Sequence, residues 1–266
     1  MIKRILKLSH NEFYKLVRQK ITYFSIFCVV VMIVLGRIGT NYLFIERSEI
    51  GSGYLFLLIS SRTIINMFGV ILILIFSSLL ISSEASSGTI QAVLVNPISR
   101  FEFYVSKIVI GMVFSLLILG TIFLASFIIA KINFTFGDYI ENGITIYTQN
   151  EIFLNFSLCF LLLLFPIFAI CIFGLLISTL TKNIGLAIGV SIGSIIIFDI
   201  LKERLDISHF LFQSYIENSF ELAQNLIDGF KINWFPNVFY CIGVPGIWMI
   251  LMFVIGYFIF SRKNFK

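Results

Sequence analysis

Two histidines, His10 and His209, and four cysteines, Cys28, Cys159, Cys171 and Cys241, are the residues from which a hydrolytic, redox or metal centre would have to be built. Their spacing builds none. The cysteines fall in or beside apolar runs with neither C-x-x-C nor Cys/His spacing, which reads as buried free thiols rather than disulfides or zinc ligands. The histidines are predicted on opposite sides of a membrane, so no Ser–His dyad can be assembled from them. No G-x-x-x-x-G-K-[ST] phosphate loop is present, and no polar segment is large enough to fold as a nucleotide-binding domain. An enzyme is therefore not expected, nor a metal or cofactor bound by this chain.

The elements that position the remaining polar residues are membrane spans. Of the 266 residues 59% are hydrophobic and 12% are charged, half the charge of a typical soluble domain, which makes this an integral membrane protein. The apolar blocks are too long for the dyad pattern of a β-barrel, so the expected fold is all-α. Six runs come close to or exceed the roughly twenty residues that cross a bilayer: about 21–38, 64–82, 104–130, 152–180, 184–200 and 242–260. The fourth is long for a straight helix, and Pro166 within it predicts a kink or tilt. Residues 2–20 read as a basic amphipathic helix lying in the interface, with Ile2, Ile5, Leu6, Phe13, Leu16 and Val17 on one face. Residues 202–240 read as one or two amphipathic helices at the outer leaflet.

Six spans put both termini on one side. That side carries twelve of the nineteen Lys and Arg residues but three of the fourteen acids, which places it in the cytoplasm of a plasma-membrane protein. The net charge of +5 thus follows from topology and needs no nucleic-acid partner. The spans hold almost no ionisable groups away from their ends, which argues against a proton- or sodium-coupled carrier or a charge-lined pore.

One polar stretch between the second and third spans is patterned. It reads Glu84-x-x-x-Gly88-Thr89-Ile90, then Asn96-Pro97-Ile98-Ser99-Arg100, then Lys107. Ser82, Ser83, Ser86 and Ser87 around Glu84 predict a helix start, and apolar residues at Ile90, Val93, Leu94 and Ile98 follow at near-helical spacing. Pro97 predicts its end or bend. A short amphipathic surface helix over 84–100 would let anything that touches it push on two spans at once.

This stretch resembles the pattern of ABC-2 type transporter permeases, E-x-x-x-G-T, then P-x-S-R, then a lysine. The basic N-terminal helix and six-span layout are similar as well, and the uncharged Ala85-Ser86-Ser87 is most similar to the bacitracin-resistance and lantibiotic-immunity branch. The resemblance implies a coupling helix that docks on a separate cytoplasmic ABC ATPase, present in two copies and carrying the ATP and Mg. It further implies a second permease chain, as homodimer or heterodimer. Glu84 would sit at the coupling helix's N-terminus and pair with a basic partner residue. Gly88 would allow close approach, Thr89 would supply a hydroxyl, Pro97 would set the exit bend, and Arg100 and Lys107 would contact the ATPase or lipid headgroups.

Spans rich in Phe, Ile and Leu suit a hydrophobic or amphipathic cargo, such as a peptide antibiotic, a membrane-active peptide or a lipid-like molecule. Gly185, Gly189 and Gly193, at G-x-x-x-G spacing, are the expected dimer or bundle-packing face. Phe210, Tyr215, Phe220 and Phe230 are candidates for an outer gate. The rival readings are a stand-alone secondary carrier or channel and a non-transporting membrane scaffold.

Overall fold

A computed structural model of the chain describes residues 2–39, 52–90, 98–141, 144–205, 207–230 and 234–263. In order these form α1 (Ile2–Arg18), α2 (Lys20–Gly39), α3 (Ser52–Ile64), a π turn (Ile65–Gly69), α4 (Val70–Ser86) and α5 (Arg100–Asn133). A two-stranded antiparallel hairpin follows, β1 (Tyr139–Glu141) and β2 (Ile144–Tyr147). Then come α6 (Gln149–Leu162), α7 (Leu164–Leu180), α8 (Ile184–Leu205), a 3-10 turn (Ser208–Phe210), α9 (Ser214–Ile227) and α10 (Trp234–Arg262). Six helical stretches, counted among the described residues, are long and apolar enough to cross a membrane. The multi-pass helical architecture expected from the sequence is therefore present.

The span boundaries differ in instructive ways. The second span begins at Gly53 rather than near residue 64, as α3, the π turn and α4 run on as one stretch. Helix runs through the polar residues 60–63, where Ser60 Oγ donates to the Leu57 carbonyl and Arg62 pairs with Glu217. The third span begins at Arg100, where Ser99 and Glu102 form a reciprocal capping box that sets the helix start. In the fourth, the helix breaks at Leu163, three residues before Pro166, whose missing N–H leaves a carbonyl of that turn without its helical donor.

α7 is the centre of the bundle, packed by α4, α10 and α5. Its approach to α4 is close because Gly174 has no Cβ; one built there would lie 2.0 Å from Ser77 Oγ. At the same seam Ser178 Oγ accepts from the Ile81 and Ser82 amides and donates to the Ser78 carbonyl at 2.5 Å. Polar groups buried in the seam are thus satisfied across it. The glycines expected to pack do not pack within the chain: a Cβ at Gly189 or Gly193 meets nothing within 4 Å, and one at Gly185 meets only Asn183 of its own turn.

α9 is also not a surface helix. Its apolar residues Tyr215, Ile216, Phe220, Leu222 and Leu226 are all buried, packed on α3, α6, α7 and α10. The apolar stripe of α9 thus covers other helices and leaves less for lipid.

Candidate functional site

Where α4 ends, four charged side chains from three elements meet. Lys107, seven residues into α5, is 1% exposed, and its Nζ donates to Glu12 Oε2 of α1 and to Glu84 Oε1 of α4, both at 2.7 Å. Lys15 of α1 closes the ring, 2.6 Å from Glu12 Oε1 and 2.9 Å from Glu84 Oε1. Two cations and two carboxylates leave no net charge. A buried ammonium has to be paired and hydrogen-bonded to be tolerable, and Lys107 is both. The α1–α5 contact brings Glu12 and Lys15 within reach: Leu16 is buried, while Leu6, Phe13 and Val17 stay exposed. Thr22 Oγ1 donates to the Leu16 carbonyl at 2.8 Å, fixing the elbow between α1 and α2.

Glu84 sits in the last turn of α4, at the end of a helix rather than at the start of one. The expected favourable helix N-terminus is therefore absent at Glu84, and Lys107 and Lys15 are what hold its charge. The serines that suggested a start are chemistry of an end. Ser82, Ser83 and Ser87 hydroxyls donate to carbonyls one turn back, and Ser86 to one three residues back, while Thr89 Oγ1 reaches the Glu84 carbonyl at 3.3 Å. Gly88, at φ 71°, takes the left-handed position that ends a helix. Gly88, directly after the last of these serines, was the signal for this that the serines masked. Ser86 through Thr89 are exposed, helix resumes at Thr89, and the expected surface helix and Pro97 lie otherwise outside the described residues.

Arg100 faces inward too. Its Nη1 donates to the carbonyls of Phe260, Ser261 and Lys263, closing the end of α10, at 3.3, 2.8 and 2.9 Å. Lys263 in turn donates to the Thr179 and Thr181 carbonyls at the end of α7. The structure thus brings Glu84 and Lys107 together and sends Arg100 to a different helix end.

The four aromatic gate candidates do not share a surface. Phe210 and Phe230 are exposed, whereas Tyr215 and Phe220 are buried in the core, Tyr215 with its hydroxyl donating to the His209 carbonyl. Packing against neighbouring helices, which a one-dimensional pattern does not reveal, decides the last two. Glu12 and Lys15 were missed as cluster members; Glu12, the one acid in a basic helix, was the available sign. Among the described residues no group of three His, Cys, Asp or Glu side chains could hold a metal.

Six long apolar helices among the described residues, two of them tied to α1 by a buried charge cluster, are the form of a multi-pass membrane protein. The profile of the ABC-2 family transporter protein matches residues 8–198, more than half of the chain, and the chain belongs to that family. Among curated proteins none matches it. Permeases of this family are non-catalytic subunits that typically pair with ATPase subunits and dimerise.

Proposed function

We propose that this permease is the membrane subunit of an exporter that moves an amphipathic or hydrophobic molecule outward, driven by a separate cytoplasmic ATPase that docks on the segment after α4. The observation that carries the reading is the buried Lys107, whose two carboxylate partners tie α1, the end of α4 and the start of α5 into one unit. A force applied to the 87–99 segment then reaches three elements together instead of fraying one helix end. In this reading Gly88 and Thr89 belong to the surface offered to the ATPase, and Pro97 turns the chain toward α5. Glu84, Lys107 and Arg100 act behind that surface as positioning residues. Both termini and the cluster lie on the cytoplasmic face of the plasma membrane, as the distribution of basic residues supports. The permease works as a dimer over two ATPase copies. The similarity of Ala85-Ser86-Ser87 to peptide-antibiotic resistance permeases, with the Phe- and Ile-rich spans, supports a membrane-active peptide as cargo.

The test is co-purification of ATPase with the permease from gently solubilised membranes. Thr89→Trp, which adds bulk on the exposed turn, should lose the ATPase while the permease inserts and stays monodisperse. Ile132→Trp, also at an exposed position but at the far end of α5, should keep it. An ATPase that binds both variants equally would sink the reading.

A further inference from the structure

Beside the Lys107 ring the elbow between α1 and α2 stands off from α4. α2 packs on α5 and α3, and α4 on α7, α8 and α5, which leaves a cavity of about 320 Å³ between the elbow and α4. Its lining changes character along α4, from Glu84 and Ser83 at the helix end to Leu80, Leu79 and Phe76. At about 1.5 Å per residue, Phe76 lies about 12 Å further into the bundle than Glu84. Ile21 of α2 adds to the apolar end, and both Ile21 and Leu79 remain partly exposed, so that end is not sealed. A polar mouth above an apolar slot has the polarity profile of a lipid.

The charges at the mouth differ in reach. Lys107 is 1% exposed and donates to Glu12 and Glu84. Three carboxylate oxygens of the ring already accept from an ammonium, and the fourth, Glu84 Oε2, is enclosed and out of a guest's reach. Lys15 is half exposed, and Glu12 and Glu84 take two of its three N–H groups, leaving one. Lys20, the first residue of α2, is exposed and has no hydrogen bond or ion pair among the described residues. The exposed amide of Gln19 stands next to it in the chain. With the ring neutral, Lys20 gives the cavity a net positive charge, and what its mouth offers a guest is donors.

We propose that this cavity holds an anionic glycerophospholipid of the cytoplasmic leaflet, its phosphodiester received by Lys20 and Lys15 and an acyl chain laid on Ile21, Leu79 and Phe76. Basic pockets between transmembrane helices on the cytoplasmic side bind such headgroups. A choline or ethanolamine headgroup would bring its own cation beside Lys20, where the ring carboxylates are already engaged by two lysines. A diester without a cation meets no such repulsion. Seated there, the lipid fills the gap between the elbow and α4 and steadies the ring that ties α1 to the end of α4. The inference goes beyond the exporter reading and makes this lipid a resident of the fold, not its cargo.

The test is native mass spectrometry of the permease alone, released from detergent micelles, with phosphatidylglycerol and phosphatidylcholine of the same acyl chains titrated in turn. The first phosphatidylglycerol should bind about fivefold more tightly than the first phosphatidylcholine, the contribution of one lysine beside an anionic headgroup. Lys20→Gln should remove that preference. Arg18→Gln, which discharges a neighbouring cation that does not line the cavity, should keep it. Leu79→Trp, filling the apolar end, should weaken both lipids. Equal affinity of the wild type for the two lipids overturns the proposal without any variant. An unchanged preference in folded Lys20→Gln protein overturns it too, and equal losses in Lys20→Gln and Arg18→Gln would assign the preference to diffuse surface charge instead. Soluble glycerol phosphate should not displace the lipid; displacement at similar concentration would make this a site for free phosphate and not for a lipid. Because no ATPase is present, loss of ATPase co-purification would leave this result standing, and the converse holds too.

Discussion

Lys107 shows how much a single side chain can depend on context that its own sequence neighbours do not supply. It follows the apolar start of a span, a position from which a lysine ordinarily reaches back to the headgroups. Instead it is 1% exposed, because Glu12 and Glu84 arrive from two other elements. Removing one partner of a buried ion pair leaves a bare charge and costs about 3–5 kcal/mol. Lys107→Met should therefore lower the thermal stability of the detergent-solubilised permease strongly. Lys107→Met with Glu12→Gln and Glu84→Gln should recover most of the loss, since no carboxylate is then stranded. A triple variant no more stable than Lys107→Met would show that packing around the stem, not charge, sets the cost. Lys15 in the same ring is half exposed. Burial alone would lower its pKa, but the hydrogen bonds and charges of Glu12 and Glu84 outweigh it and hold the ammonium above its ordinary 10.5. A folded-state pKa raised above the unfolded value gives a contribution fully present below 10.5 and lost as pH rises through the folded value. Limited proteolysis of α1 should accordingly be flat from neutral pH up to the ordinary lysine range and accelerate only above it.

At the scale of elements, hydropathy located all six spans because lipid demands long apolar runs, while their ends were set by interactions that run across the fold. The second span starts about ten residues before the apolar run at Ile64, and two of the polar residues it takes in find partners, Ser60 on a helical carbonyl and Arg62 on Glu217. The capping box at Ser99 and Glu102 is local and legible in the sequence as a Ser followed three residues later by Glu ahead of an apolar run. α9 was read as a leaflet helix for a physical reason: an amphipathic stripe looks the same whether it faces lipid tails or other helices. The close contact of α4 and α7 was not legible either, since Gly174 is one glycine in an apolar run and only its partner Ser77 gives it meaning. Gly174→Ala should destabilise the bundle by about 1–3 kcal/mol through overpacking. Adding Ser77→Gly should restore part of this by clearing the side chain 2.0 Å from the new Cβ, as read by thermal unfolding of the double-mutant cycle. At the clamp on α10, Arg100→Met should free the C-terminal turn, because the one guanidinium nitrogen that donates to three carbonyls is lost. Faster carboxypeptidase trimming after Lys263 would register it.

For the whole molecule, the unequal cover of the spans says where another copy of the chain has room. The window through α6 and α7 is 67% buried inside the chain, but that of α8 is 17%, so α8 lies at the edge. α10 is equally uncovered and its Gly243 and Gly246 are open as well, but they stand three residues apart beside the exposed Ile247 and Ile250, whereas Gly189 and Gly193 of α8 stand four apart, on one helix face, with nothing near their missing Cβ atoms. Lipid tails are as apolar as leucine, so a membrane interface gains from close backbone approach, which small residues permit and isoleucines hinder. If the permease dimerises through α8, Gly193→Cys in a Cys28→Ser background should be joined by a short bismaleimide in native membranes. Ile247→Cys on α10 should not, despite 60% exposure. Gly189→Leu combined with Gly193→Cys should then reduce the cross-link several-fold by holding the helices apart. Equal cross-linking at residues 193 and 247 would mean that the glycines of α8 face lipid and that the dimer seam lies elsewhere on the bundle.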